Sequence, residues 1–142
     1  MLVQSVDVWI VEIPQTEPLA PYRSHVRSSS TTKSGIVRLR TDVGIDGWGE
    51  FNVNFLPGLD VGKFNADAQW IVGRDPLAIT QFHLDCPLEN RLKSGLELAC
   101  WDLAGKFVDQ PVAVLLGGII RSEIELAACM GIQSYDRAKE LA

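Results

Sequence analysis

The spacing of the apolar residues in this 142-residue chain changes near Asn52, and this change constrains the fold more than any other feature. Before Asn52 apolar residues alternate at period two, as in Val6 and Val8 or in Val37 and Leu39. After it they recur at intervals of three and four residues, as on one face of a helix. The chain therefore predicts an α+β fold, with a small sheet followed by a helical bundle.

Three strands are predicted in the first part, and they form an antiparallel meander. Residues 3–13 are rich in β-branched and aromatic side chains. Residues 35–41 and 45–52 alternate on either side of a turn, which predicts a hairpin. Residues 15–34 have no periodicity and predict a long loop, and loops of that length in compact domains are commonly functional.

Two glycines flank Trp48 in the third predicted strand. Gly47 and Gly49 indicate a bulge or a close approach of another backbone at this point.

Three helices are predicted next. The first contains Phe64 and Ile71, the second begins with Asp75 and Pro76, and the third spans 91–107 with Asn90 as its cap. Farther on, residues 123–130 form an apolar run typical of a strand buried on both faces, and a helix is predicted from residue 135. Because the sequence stops inside that helix without a stop signal, we expect its C-terminus to be a cut.

Charge and composition exclude several classes of protein. Thirteen basic residues face 18 acidic ones, for a net charge of −5, which argues against a nucleic-acid partner. The sequence has neither an apolar run of membrane-spanning length nor a signal peptide, so we expect a cytoplasmic protein without a membrane partner. The three cysteines are widely spaced and predict reduced thiols, and we expect Cys100 to be a core residue.

Three sequence blocks follow one another along the chain: Gly-Trp-Gly-Glu at 47–50, Leu-Glu-Leu-Ala-Cys-Trp-Asp-Leu-Ala-Gly-Lys at 96–106, and Pro-Val at 111–112 followed by Leu-Leu-Gly-Gly at 115–118 and Arg121. In this order they resemble the N-terminal capping domain of the mandelate racemase/muconate lactonizing group of the enolase superfamily. Asp109 stands where the family often has glycine, and aspartate tolerates the left-handed conformation better than most residues. The resemblance implies a capping domain over 1–120 and the first strand and helix start of a (β/α) barrel over 121–142.

The resemblance also implies an activity for the complete enzyme. Family members hold Mg²⁺ with acidic residues at the ends of barrel strands and abstract the proton α to a carboxylate with a lysine or histidine base, through an enediolate. The implied enzyme is a racemase, dehydratase or cycloisomerase acting on a small carboxylate, and we expect a homo-oligomer. Because such a barrel needs about 250 residues, we expect neither catalytic residues nor metal ligands in this chain, which alone is predicted to be inactive.

Two loops match, by position, the family loops that close over the substrate. They span 16–32 and 51–59. The resemblance implies that arginines there pair with a substrate carboxylate, that a histidine donates a hydrogen bond, and that aromatic side chains exclude water. The candidate substrate-binding residues are Tyr22, Arg23, His25, Arg27, Phe51, Asn52, Asn54 and Phe55.

Other acidic residues are predicted to be structural. Glu97 and Asp102 each have a lysine four residues away on the same helix, Lys93 and Lys106, and surface ion pairs are expected. Glu50 is expected to make a hydrogen bond within the domain.

A different class of function stays open from the sequence. The chain could be a non-enzymatic remnant or a partner-binding domain. The reading frame downstream of Ala142 distinguishes these hypotheses, since seven more βα units there would favour the enzyme.

Overall fold

The computed structural model describes residues 1–23, 25, 28–54, 58–127 and 132–141. Two compact units contain them: Met1–Val11 with Ser34–Ile120, and Glu12–Lys33 with Arg121–Ala142. The strands within the described residues are β1 (Val3–Pro14), β2 (Tyr22–Arg23), β3 (Ser28–Ser29), β4 (Thr31–Thr41) and β5 (Asp46–Asn52). The helices are α1 (Val61–Ala68), α2 (Ile79–Asp85), α3 (Asn90–Phe107), α4 (Val112–Leu115) and α5 (Tyr135–Leu141), with a 3₁₀ turn over Gln69–Ile71.

The larger sheet has the strand order β1-β4-β5, and β4 pairs antiparallel with β5. Val37 faces Gly49 across the pair and Leu39 faces Gly47, so that one side of the sheet is apolar. Its buried side chains join those of α3 in one core with Val8 and other members. The fold confirms the α+β class and the small antiparallel sheet that the change of periodicity predicted.

Two glycines of β5 let α3 lie directly on the sheet. A methyl group at Gly47 would overlap the carbonyl oxygen of Ala99, and one at Gly49 would overlap that of Gly95. Only a hydrogen atom fits at either position. The close backbone approach predicted from the glycines beside Trp48 is therefore confirmed.

The starts of two helices differ from the predicted ones. The side chain of Asp75 accepts a hydrogen bond from the Leu77 N–H at 3.0 Å and forms a turn, so α2 begins only at Ile79. In α3 the cap is Glu89, whose carboxylate accepts from the backbone N–H groups of the second and third helical residues. Asn90 is therefore the first residue of the helix and not its cap.

The C-terminal prediction is confirmed only for its helix, α5. Of the apolar run 123–130, residues 123–127 are described and form no strand, and 128–130 lie outside the described residues. An extended segment gains ladder hydrogen bonds only beside another strand, so an apolar pattern by itself does not make one.

Cys100 is a core residue, as predicted, with an exposed fraction of 0%. Burial raises the pKa of its thiol from 9.0 to about 12, and the Glu97 carboxylate adds to the rise. Between these values only the unfolded chain releases the thiol proton, so stability falls as the pH rises through this window.

From this thiol we expect about 1 kcal/mol less unfolding free energy at pH 10 than at pH 8. Urea unfolding of the wild type and of Cys100→Ala at both pH values measures it. The variant is expected to lose less stability between the two than the wild type does. An equal loss in both chains would contradict the assignment to Cys100.

Candidate functional site

The first candidate loop contains a two-stranded ribbon, which corrects the prediction of an irregular loop over 15–34. Tyr22 pairs with Ser29 and Arg23 with Ser28, both antiparallel. Periodicity could not reveal strands of two residues, because alternation needs about four residues to be recognised. His25 lies exposed between the strands, and Arg27 lies outside the described residues.

The two ribbon candidates differ in exposure. Tyr22 is half-buried and Arg23 is exposed, since successive residues of a strand point to opposite faces. The exposed guanidinium of Arg23 can bind an anionic group from solvent. The loop therefore offers one described cation, the exposed Arg23, and an exposed imidazole two residues farther along the chain, at His25.

Hydrogen bonds and an ion pair hold the base of the ribbon in place. No motif or spacing in the sequence predicted the residues that make them. The Gln15 N–H donates to the Ser30 carbonyl at 2.8 Å, and the Gln15 side chain donates to the Thr32 hydroxyl at the same distance. The Thr31 hydroxyl donates to Glu12, which also pairs with Lys33 at 3.3 Å. These contacts lower the pKa of the Glu12 carboxyl below its ordinary value, the hydrogen bond from Thr31 most of all.

Within the same unit, an ion pair with α5 also holds the candidate loop in place. The Arg137 guanidinium donates to the carboxylates of Glu17 and Glu140. Hydrogen bonds to these two carboxylates raise the pKa of Arg137. Glu17 belongs to the candidate loop, so α5 holds the loop at this point.

In the second candidate loop Phe51 is a core residue. It is 3% exposed, and its ring contacts Phe64 edge to face at a centroid distance of 5.4 Å. The absence of side chains at Gly35 and Gly95 leaves room for the ring. Because Phe51 is buried in the core, we do not propose it as a substrate contact. Phe51 is the penultimate residue of β5 and lies on the same face of the sheet as Val37 and Leu39.

The rest of this loop is a turn. The Asn52 side-chain oxygen accepts a hydrogen bond from the Asn54 N–H at 2.8 Å, which is an Asx turn. Asn52 is exposed and Asn54 half-buried. Phe55 lies outside the described residues. The two loops belong to different compact units, and each loop is therefore described separately.

The acidic residues set aside as structural do make structural contacts. Glu50 accepts a hydrogen bond from the buried Ser34 hydroxyl at 2.5 Å, as predicted. The predicted pair of Asp102 and Lys106 is present at 2.7 Å.

The predicted pair of Lys93 with Glu97 is wrong. Glu97 accepts from His83 at 3.0 Å and from the Trp101 indole at 3.4 Å. Lys93 instead donates to the His83 carbonyl at 3.0 Å. The approach of α2 offers both residues partners that helical spacing alone does not reveal.

Neither a metal centre nor a membrane segment is formed by the described part of the chain. None of its His, Cys, Asp and Glu side chains form a group of three or more that could hold a metal ion. No helix among these residues has the length and apolar character needed to cross a bilayer.

Residues 5–117 match the family model for the mandelate racemase/muconate lactonizing enzyme N-terminal domain. The chain is 29% identical over 136 residues to the cis-3-hydroxy-L-proline dehydratase of Roseibium aggregatum, covering 89% of this chain and 37% of that one. It is 29% identical over 104 residues to the D-galactonate dehydratase of Klebsiella pneumoniae, covering 67% of this chain and 27% of that one. The chain thus spans well under half the length of these relatives.

Solved structures show the same fold. The N-succinyl Arg/Lys racemase of Bacillus cereus superposes with a TM-score of 0.83 at 25% identity, over 99% of this chain and 40% of that one. The dipeptide epimerase of Enterococcus faecalis, complexed with Mg and the dipeptide L-Leu-L-Tyr, superposes with a TM-score of 0.69 at 25% identity. The match covers 83% of this chain and 35% of that one. The chain belongs to the mandelate racemase/muconate lactonizing enzyme family, whose N-terminal domain it contains.

Proposed function

We propose that this chain is the substrate-capping part of a Mg²⁺-dependent enzyme that abstracts the proton α to a carboxylate and forms an enediolate. Residues 1–120 are the capping domain in this proposal, and 121–142 begin a (β/α) barrel. The relatives support the substrate class, because a hydroxyproline, a galactonate, an N-succinyl amino acid and a dipeptide are all carboxylic acids. The enzyme is a racemase, dehydratase or cycloisomerase, and we propose a cytoplasmic homo-oligomer.

The observation that carries the proposal is the ribbon of β2 and β3, held at its base, with Arg23 exposed on β2 and His25 exposed between the two strands. A guanidinium can bind a carboxylate through two parallel N–H donors, which fixes the orientation of the acid as well as its position. Hydrogen bonds at the ribbon base, such as that of Gln15 with Ser30, hold the strands from which Arg23 projects. In the proposal the loop closes over the acid, orients it and excludes water. In the first loop Tyr22 is a further proposed contact, and in the second loop, taken by itself, Asn52 and Asn54 are proposed contacts. Arg27 and Phe55, also proposed, lie beyond the described residues.

The described residues do not fit a magnesium site. Mg²⁺ requires several convergent oxygen ligands, and these residues provide no such group. As the family resemblance implies, we propose that barrel strands of the complete enzyme provide the metal ligands and the catalytic base, and we assign no step of the reaction to the described acidic residues.

The test is an α-proton exchange assay on the protein encoded by the complete reading frame. It is incubated in D₂O with Mg²⁺ and a panel of N-acyl amino acids, dipeptides, sugar acids and hydroxyprolines. We expect deuterium at the α-carbon of at least one acid, and loss of exchange with a chelator. If no acid in the panel exchanges and the reading frame ends after residue 142, the capping role is wrong.

The 142-residue chain alone is expected to be inactive and to bind Mg²⁺ only weakly. Isothermal titration with Mg²⁺ measures this, with CaCl₂ as a control for nonspecific binding to the acidic surface. A micromolar dissociation constant for Mg²⁺ would show a metal site that the described residues do not reveal.

A further inference from the structure

The sheet β1-β4-β5 has two outer strands, β1 and β5. An outer strand presents unpaired N–H and C=O groups along one side, and a second chain can pair with them. In this domain helix side chains occupy several of these groups on both edges.

On β1 the edge is closed by Asn65 of α1. Its side-chain oxygen accepts from the Val8 N–H at 2.9 Å, and its side-chain nitrogen donates to the Val8 carbonyl at 2.8 Å. A bond from the same nitrogen to the Val61 carbonyl at 3.0 Å fixes the orientation of the amide. Because a carboxamide carries the same donor and acceptor as a peptide group, Asn65 takes the place of one residue of a neighbouring strand.

The start of β1 is closed by backbone. The Val3 N–H donates to the Arg74 carbonyl at 3.0 Å, and the Gly73 N–H donates to the Val3 carbonyl at 2.8 Å. Together with Asn65, these contacts cover two separate points of the edge.

On β5 the edge is closed by an ion pair of α3. The Asp102 carboxylate accepts from the Trp48 N–H at 2.8 Å, and the Lys106 ammonium donates to the Asp46 carbonyl at 2.8 Å. The two side chains also pair with each other at 2.7 Å. Residues 46 and 48 are two apart, so both groups point to the same side of the strand.

We propose that Asn65 and the Asp102–Lys106 pair are edge guards, which prevent a second copy of this chain from adding its own edge strand to the sheet. A merely structural role, in which these side chains only dock α1 and α3, predicts lower stability on removal but no association. The guard role predicts that the opened edge pairs with another copy. Association of native copies must then use a face of the domain rather than an edge of the sheet.

The test uses Asn65→Leu and Asp102→Leu, which keep much of the side-chain volume but cannot make the edge hydrogen bonds. Gln81→Leu and Asp67→Leu are matched controls, because Gln81 bonds to Asp85 within α2 and Asp67 pairs with Lys63 within α1. Sedimentation velocity over a dilution series measures self-association, and hydrogen exchange measures the Val8 and Trp48 amides.

At concentrations where each chain is monomeric, we expect the Val8 amide in Asn65→Leu and the Trp48 amide in Asp102→Leu to exchange about tenfold faster than in the wild type. At higher concentrations we expect self-association to strengthen at least about tenfold and these amides to regain protection. The control variants should match the wild type in both measurements.

Two volume-matched variants keep the test decisive if a leucine variant fails to melt cooperatively. Asp102→Asn keeps an acceptor for the Trp48 N–H and is expected to stay protected, whereas Asn65→Asp loses the donor to the Val8 carbonyl and is expected to associate. Unchanged exchange of the Val8 amide in Asn65→Leu and of the Trp48 amide in Asp102→Leu would show that these edge hydrogen bonds are not made. Faster exchange without stronger association would overturn the guard role.

Discussion

Replacing Gly49 by alanine is expected to lower the unfolding free energy by about 3 kcal/mol or more. The added methyl would overlap the Gly95 carbonyl oxygen and lie 2.8 Å from the Ala99 nitrogen. Both are backbone atoms of α3 that no rotamer change can move aside, so the helix must shift away from β5. Urea unfolding monitored by tryptophan fluorescence measures the loss.

Gly62→Ala is the matched control for this substitution. Gly62 lies in α1, and the nearest atom to an added methyl is a side-chain oxygen of Asp60 at 3.2 Å. Alanine has the higher helix propensity, so we expect a change of less than about 1 kcal/mol. Equal small effects of the two substitutions would mean that α3 lies farther from the sheet than in the structure.

In the complete enzyme, Arg23→Ala is expected to lower kcat/KM about 100-fold, because the variant cannot make the proposed charge-assisted pair with the substrate carboxylate. His25→Ala is expected to lower it about tenfold through the loss of one hydrogen bond. Both residues are exposed in the loop, so the melting temperature should stay nearly unchanged. Steady-state kinetics and thermal melts of each variant test this.

Two further variants separate substrate binding from loop structure. Arg23→Lys keeps the charge but loses the bidentate geometry and should recover only part of the activity. Arg91→Ala removes another exposed arginine, at the start of α3, and should leave kcat/KM unchanged. A drop of several degrees in melting temperature with unchanged kinetics in Arg23→Ala would assign Arg23 to folding.

The sequence alone determined those features that depend on spacing along the chain. Alternation predicted that Val37 and Leu39 share the buried face, and the glycines beside Trp48 predicted the close approach of another backbone. Helical spacing predicted the pair of Asp102 with Lys106. In each case the relevant partner is a near neighbour in sequence, or the missing side chain itself carries the information.

The tertiary structure determined which groups distant in sequence come into contact. Several residues make contacts there that the sequence did not predict. Asp102 also caps the edge of β5, Glu97 binds His83 rather than Lys93, and Phe51 is buried against Phe64. No pattern in the sequence indicated a role for Asn65, although its side-chain amide makes hydrogen bonds with the backbone of Val8 at the edge of β1. The physical reason is that a polar side chain can take any partner within about 3 Å, and which groups come that close depends on how helices and strands pack.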